Sequence, residues 1–305
     1  MRTREAPIRN ALEFAFAKLV VGIAWCLPAA GLPLLCRMLA SIAWALVPSR
    51  RKVVQHNLVL AYPDPVTRPS ASVIGKSSIA NLLQSFLELF LMSDDEDRVR
   101  SQIVQIVGPE LHGLVARHGG GPFIWAASHF GAWEVLGSAG PLMGFDVTTL
   151  VRPLDNPLLE SWVARRRTRF GARLAASRGG LADLIGSLEA GRQVAVLADL
   201  NHRGRGAEFI DFFGIPAATA RTIAVLALRA KRPVVPIFCH RLPNGQFGID
   251  VGDAIVPDPL APFDEEVHRI LQCVAKVIEI RIREHPGCWL WTHRRWKTRP
   301  EGVAS

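Results

Sequence analysis

The sequence has no C-x-x-C pair, no H-E-x-x-H, no G-x-x-x-x-G-K-S/T loop and no paired-glycine dinucleotide fingerprint. The histidines show none of the spacings of a zinc set. We therefore expect no metal and no nucleotide cofactor. The cysteines are few and odd in number: Cys26, Cys36, Cys239, Cys273 and Cys288. They make neither a disulfide framework nor a metal cluster and suit a reducing cytosol. No internal repeat and no low-complexity linker divides the chain. Charge is missing from one stretch: no charged residue lies between Lys18 and Arg37, a gap of 18 residues.

What is present is a long, apolar and basic chain. Its 305 residues suffice for one large domain with a substantial core, or two small ones. Nearly half are hydrophobic, which excludes a disordered chain and is high for a freely soluble enzyme. The net charge of +9 points to anionic partners: nucleic acid, anionic lipid or an acidic carrier protein.

The uncharged gap lies within an apolar region, residues 11–47, preceded by Arg2, Arg4 and Arg9 and closed by Arg50, Arg51 and Lys52. Eighteen residues is near the lower limit for a spanning helix, and Pro28, Gly31 and Pro33 interrupt the run. Lys18 and the lack of a clean cleavage site argue against a signal peptide. The segment is read as one helix entering a bilayer, as two helices in its interface, or as a buried hairpin. The closing cations favour membrane attachment from the cytoplasmic side.

Beyond it, helical spacing marks residues 53–61 and 73–92. The face of Ile79, Leu82, Leu83, Phe86, Leu87 and Phe90 is packing or the wall of an acyl-chain groove. Strands are expected at residues 103–107, 123–127, 147–151, 194–198, 234–239 and 246–251. Helices are expected at residues 111–117, 157–170, 181–189, 220–230 and 263–285. This alternation argues an α/β fold with a largely parallel sheet covered by helices. The division expected is an N-terminal helical membrane segment, residues 1–50, and a catalytic domain, residues 51–305.

The chemistry concentrates at residues 123–137, an apolar strand that stops at Ser128 and His129, breaks at Gly131 and resumes as a helix. In α/β proteins the ligand crevice lies at such strand ends. His129 and Glu134 are five residues apart, about 500° on one continuous helix, so they meet only if His129 sits in the turn. A neutral imidazole there can take a proton from an alcohol, and a carboxylate on its other nitrogen would fix its tautomer. The alternative is a turn histidine beside a chance glutamate. Arg152, just after a strand, can clamp a phosphate or carboxylate, or be a surface arginine. Asp199 ends the strand VAVLA, facing the crevice or capping a helix. Arg221 opens a helix and meets an anion or solvent.

SHFGAWE (residues 128–134) resembles the H-x-x-x-x-D/E motif of glycerolipid acyltransferases, in the form used by the late acyltransferases of lipid A assembly. Five further stretches resemble that family in order: RRKVVQHNLVLAYPD (50–64), VRPLDNP (151–157), EAGRQVAVLADLN (189–201), FIDFFGIPAATA (209–220) and CWLWTHRRWKTRP (288–300). The resemblance covers nearly the whole chain. It implies an inner-membrane O-acyltransferase, with its catalytic domain on the cytoplasmic side. The acyl group would pass from acyl carrier protein, or acyl-CoA, to a hydroxyl of an anionic glycolipid. It implies His129 as general base, Glu134 as its partner, and Arg152 and Asp199 at the substrates. Asp211 stands where relatives vary. Phe212, Phe213 and Gly214 are read as an apolar turn near the acyl pocket, and, from helix geometry alone, a helix N-terminus after Gly131 is expected to help hold the developing oxyanion. The family usually has Asp-Gln where this chain has Asp199-Leu200-Asn201. The motifs leave the acceptor open, a phosphatidylinositol mannoside or another lysolipid or glycolipid being the alternative to a lipid A precursor. A different class, a non-catalytic basic module on membrane or nucleic acid, is disfavoured because the basic residues are dispersed. Trp289, Trp291 and Trp296, interleaved with Arg294, Arg295, Lys297 and Arg299, have the composition of a membrane interface or of a single-strand nucleic-acid surface. The resemblance favours the lipid side and no nucleic acid.

Overall fold

The computed structural model describes residues 5–28, 30–107, 111–177, 179–204 and 206–300, so Arg2 and Arg4 lie outside the described residues. Four helices come first: α1 (Glu5–Trp25), α2 (Gly31–Leu46), α3 (Pro48–Ala61) and α4 (Ala71–Leu91). Then follow α5 (Glu96–Arg100), β1 (Ile103–Val107), α6 (Leu111–Arg117), β2 (Ile124–Ala127), α7 (Trp133–Leu142), β3 (Val147–Val151) and α8 (Pro157–Thr168). The chain continues through β4 (Arg173–Ala176), α9 (Gly180–Glu189), β5 (Gln193–Leu197), β6 (Ala207–Phe212), β7 (Ile215–Ala220), α10 (Thr222–Ala230), β8 (Val234–Arg241), β9 (Phe247–Val251) and α11 (Phe263–Glu284). A single 3-10 turn, Pro286–Cys288, leads into the C-terminal segment.

Seven strands form one sheet in the order β1-β9-β8-β2-β5-β3-β4. β8, β2, β5, β3 and β4 are parallel; β9 runs antiparallel to β8, and β1 parallel to β9. The expected α/β architecture is present, with β4 and the hairpin β6–β7 in addition. Alternate residues of β2 enter opposite cores, as a two-residue period requires. Ile124 and Ala126 join the side covered by α9, α10, α11 and the C-terminal tryptophans. Phe123, Trp125 and Ala127 join the side covered by α7. Both faces of the central strands are therefore covered by other elements.

The C-terminal tryptophans are not at a membrane interface. Trp289, Trp291 and Trp296 are buried, packed against Phe212 and Phe213 of the hairpin. Their indole edges find acceptors inside the protein, Pro286 O for Trp291 and Asp199 for Trp289. Arg295 is buried with them and donates to Leu200 O, Ala218 O and Thr219 Oγ1. The apolar turn near an acyl pocket is corrected as well. Phe213 and Gly214 are a two-residue hairpin loop, both at positive φ (60° and 77°), the geometry of a type I′ turn. That loop packs on the tryptophans.

The apolar exposure lies at the other end of the chain. Leu12, Phe16, Leu19 and Ile23 stand on one face of α1, and Leu34, Met38, Ile42 and Leu46 recur every fourth residue on α2, all exposed. Among the described residues no single helix is long and apolar enough to cross a membrane. α2 and α3 together pass that test, but they are bent by 97°. Residue 50 falls inside α3, and the N-terminal helices are docked on α4 through Cys36, Ala40, Ala80 and Leu87.

Candidate active site

β2 ends at Ala127, and a five-residue turn carries Ser128 and His129 to the start of α7. The turn is pinned by the backbone. Gly131 N–H donates to Cys288 O and Ala132 N–H to Cys239 O. Gly131 sits at φ +63°, and a Cβ there would lie 2.2 Å from Cys239 O, so only glycine fits. His129 is thus held at the carboxyl end of the central strand.

Its partner comes from the adjacent strand. β2 and β5 are parallel and in register, Ala127 opposite Leu197. Two residues further on, His129 lies beside Asp199. The Asp199 carboxylate receives three hydrogen bonds: His129 Nδ1 at 2.8 Å to Oδ1, His129 N–H at 2.8 Å to Oδ2, and the Trp289 indole at 2.8 Å to Oδ2. Asp199 is buried, which disfavours its charged form, but these bonds and the imidazole outweigh burial and hold its pKa below the ordinary value. Burial likewise disfavours the imidazolium of His129; the Asp199 charge and hydrogen bond reverse this and raise its pKa. A carboxylate on Nδ1 fixes the proton there, so Nε2 is the basic nitrogen. Nε2 has no partner among the described residues.

Glu134 does not orient the imidazole. In the first turn of α7 it is clasped by Arg167 of α8, with Nε to Oε2 at 2.9 Å and Nη2 to Oε1 at 2.6 Å. Both side chains are mostly buried. Burial works against the Arg167 charge, but Glu134 more than compensates and raises its pKa. The reason is geometric: α7 begins only at Trp133, which turns Glu134 toward α8 while the histidine's Nδ1 faces β5. The Glu134 charge still acts on the imidazolium through space, in the direction of raising its pKa.

His129, Glu134, Arg152 and Arg167 all line one cavity of about 460 Å³. Its walls are apolar, with Trp125, Trp133, Val147, Leu174 and Leu197 among them, and Leu82 and Phe86 come from the α4 face. That volume is in the range of small-molecule sites. Arg152 stands at its edge, largely exposed and loosely paired with Asp155 at 3.8 Å. Asp211 and Arg221 are elsewhere. Asp211 Oδ1 accepts from Gly214 N–H in the hairpin loop, and Arg221, just before α10, is paired with Glu208 and Asp264. Neither lines the cavity, and both have structural partners. The oxyanion role expected of the α7 N-terminus rests on one amide: those of residues 129 to 132 and Glu134 are already bonded, Glu134 N–H to Ser85 Oγ, and Trp133 N–H is without a partner among the described residues. The arginine that could serve instead, Arg167, was hidden in a run of three, Arg165 to Arg167, that reads as a solvated face. Among the described residues no group of three or more His, Cys, Asp or Glu could hold a metal.

The β5–β6 loop is anchored to the C-terminal segment beside the site. Asn201 N–H donates to His293 Nε2 at 2.9 Å, and its side chain bonds Thr298. Burial lowers the His293 pKa to about 4, so the ring stays a neutral acceptor near pH 7.

Comparison with known proteins gives a consistent result. A family model described as bacterial lipid A biosynthesis acyltransferase matches residues 3–298. The lipid A biosynthesis lauroyltransferase of Escherichia coli (strain K12) is 26% identical over 294 residues, covering 93% of this chain and 92% of the relative. The myristoyltransferase of the same strain is 25% identical over 293 residues, covering 93% and 86%. A lipid A biosynthesis acyltransferase of Haemophilus influenzae is 22% identical over 256 residues, covering 83% and 77%.

Proposed function

The chain belongs to the bacterial lipid A biosynthesis acyltransferase family and is an acyltransferase; from that premise we propose that it moves a fatty acyl group from a thioester of acyl carrier protein to a hydroxyl of a lipid A precursor. The observation that carries the mechanism is the His129–Asp199 pair opening on an apolar cavity. The acyl chain lies along Trp125, Val147 and Leu174, with its carbonyl near His129. The acceptor hydroxyl attacks that carbonyl while Nε2 of His129 takes its proton. Asp199 stabilises the imidazolium that forms. The tetrahedral intermediate collapses with cleavage of the C–S bond, and the imidazolium returns the proton to the departing thiolate. The products are an ester and a thiol, without an acyl-enzyme.

Negative charge develops on the carbonyl oxygen, and Arg167 is the cation at hand. Glu134 engages its Nε and Nη2, which leaves Nη1 outside the pair. Glu134 is then a positioning residue for Arg167 as well as a distant charge on His129. Arg152 offers an exposed cation at the mouth for an anionic part of a substrate.

The apolar faces of α1 and α2 support attachment in the plane of the inner membrane on its cytoplasmic side, with the body from α3 onward carrying the catalysis. A net charge of +9 suits both an acidic carrier and anionic lipid. The test is acyl transfer by purified protein, from acyl carrier protein to a phosphorylated lipid A precursor, followed by mass spectrometry of the lipid. The expected product is heavier by one acyl group. Folded wild-type protein that transfers nothing, from either carrier protein or acyl-CoA, would overturn the reading.

A further inference from the structure

Beside the catalytic cavity a second set of cavities has the opposite character. One, of about 310 Å³, is lined by Ser49, Arg50, Arg203, His293 and Arg294 among others. It shares Ser49, Val53 and Arg294 with a neighbour of about 390 Å³, to which Lys52, Lys297 and Arg299 contribute. These cations come from three separate parts of the chain: the start of α3, the β5–β6 loop and the C-terminal segment. No carboxylate lines either cavity. Among the described residues none of the six is in an ion pair, although arginines elsewhere in the molecule commonly are. Arg50 makes one hydrogen bond, from Nη1 to Thr292 O at 3.2 Å.

Two features make this arrangement costly for an empty protein. Like charges gathered without counter-ions repel one another. In addition, Arg50, Arg51 and Lys52 occupy the beginning of α3, where the helix dipole favours anions, and its first turn has no acid. α11 shows the ordinary arrangement, with Asp264, Glu265 and Glu266 in its first turn. An anion bound at the start of α3 would offset both costs.

The cleft also lies near the reaction site. Leu82 and Leu290 line the catalytic cavity and an intervening cavity of about 330 Å³. The wall of that intervening cavity includes Val47, Arg50 and His293. Val47 is the elbow between α2 and α3, so the cleft begins where the exposed apolar face of α2 ends at Leu46. If α2 lies in the lipid interface, the cleft is at headgroup level. Arg203 is four residues beyond Asp199, on the loop that leaves the catalytic pair.

We propose that this basic cleft binds a phosphate monoester on the sugar headgroup of the acceptor lipid and thereby sets which hydroxyl reaches His129. The inference rests on the acyl-transfer reading above. A compact dianion engages forked guanidinium donors from Arg50, Arg203 and Arg294, which a zwitterionic headgroup cannot do without leaving its cation against them.

The experiment compares full-length wild type with the double variant Arg50→Gln/Arg294→Gln in lipid–detergent micelles. The acceptor is supplied as the phosphorylated glycolipid and as the same lipid after phosphatase treatment. Loss of two charge-assisted contacts should raise the KM for the phosphorylated acceptor by about tenfold or more. The KM for the dephosphorylated acceptor should rise far less. Inorganic phosphate should compete with the acceptor in wild type and lose its effect in the variant. An equal change for both acceptors, or none, would overturn the proposal. So would competition by phosphatidylglycerol vesicles as strong as by the phosphorylated glycolipid, which would make the cleft a general anionic-lipid surface. Should the protein transfer acyl groups to no phosphorylated glycolipid, the enzymatic reading fails. Calorimetric titration of wild type and variant with inorganic pyrophosphate still decides the cleft: binding lost in the variant supports an anion site, and equal or absent binding removes it. Circular dichroism of Arg50→Lys/Arg294→Lys, which keeps the charge and loses the fork, separates misfolding from lost recognition.

Discussion

Two buried carboxylates flank the turn that carries His129, and they do different things. Asp199 holds a histidine, a neutral indole and a backbone amide; Glu134 holds a guanidinium. The first partner changes protonation near neutral pH and the second does not. Asp199 can therefore support proton transfer, whereas Glu134 can only fix the position of a permanent charge. Adjacency in sequence misleads here. Glu134 is five residues from His129 and turned away; Asp199 is seventy residues distant and bonded to it.

The contrast is broken most completely at the histidine. His129→Ala should lower acyl transfer by about 10² to 10⁴ or more, with circular dichroism like wild type, because no other group reaches the proton. Full turnover by the folded variant would remove the base from the scheme.

Asp199→Asn should cost nearly as much, on the order of 10³ to 10⁴ in kcat, since an amide can select the wrong tautomer. Its pH profile is the sharper readout. In wild type the raised His129 pKa moves the acidic limb of kcat/KM upward from the ordinary histidine value, with activity falling as pH drops through it. Without the Asp199 charge, burial dominates and the limb should move to lower pH. The same linkage acts on stability. The raised His129 pKa contributes stability present below the ordinary histidine value and lost as pH rises through the raised one. The lowered Asp199 pKa contributes stability present above the ordinary carboxylate value and lost as pH falls through the lowered one. If the limb of Asp199→Asn stays in place, some other carboxylate controls the imidazole.

Glu134→Ala should distinguish positioning from proton transfer. Removing one partner of a buried pair leaves Arg167 uncompensated and should destabilise the fold by about 3–5 kcal/mol, measured by denaturant titration. Glu134→Gln should lose less. For its surviving activity, kcat should drop while the acidic limb shifts only slightly downward, because Asp199 still holds the ring. A limb displaced as far as in Asp199→Asn would make the two carboxylates equivalent. The smallest effect belongs to Arg152→Ala. At 82% side-chain exposure and 3.8 Å from Asp155, Arg152 has little structural role. A severalfold rise in KM for one substrate, with unchanged thermal stability, is expected; an unchanged KM for both would leave it a surface residue.

These differences mark how far a linear reading goes. The strand–turn–helix at residues 123–137 was legible because apolar runs and a glycine break are local signals. The place of His129 in the turn was legible with it. Asp199 was legible as a strand-end residue, but its contact with His129 depends on the register of two parallel strands, which no nearby residue encodes. The hairpin β6–β7 was missed because Phe213 at positive φ is an unusual turn residue. The tryptophans were misplaced because aromatic–cationic composition is the same for a lipid interface and for a core with arginine buried in it. What separated the two was the set of acceptors waiting in the fold: carbonyls for Arg295 and Trp291, and a carboxylate for Trp289.

The grip of Trp289 on Asp199 has a consequence in time. Cys288 O, Trp289 O, Trp291 O and His293 O accept hydrogen bonds from Asn81, Ser78 and Asn57 on α4 and α3, which threads this segment between the early helices and the sheet. The ribosome makes it after every strand of the sheet. The helices α1 and α2 are thus complete while the nascent chain still lacks the third bond to Asp199. On the proposed reading, competence is then the last property the polypeptide acquires, and a chain interrupted before residue 289 would lack it.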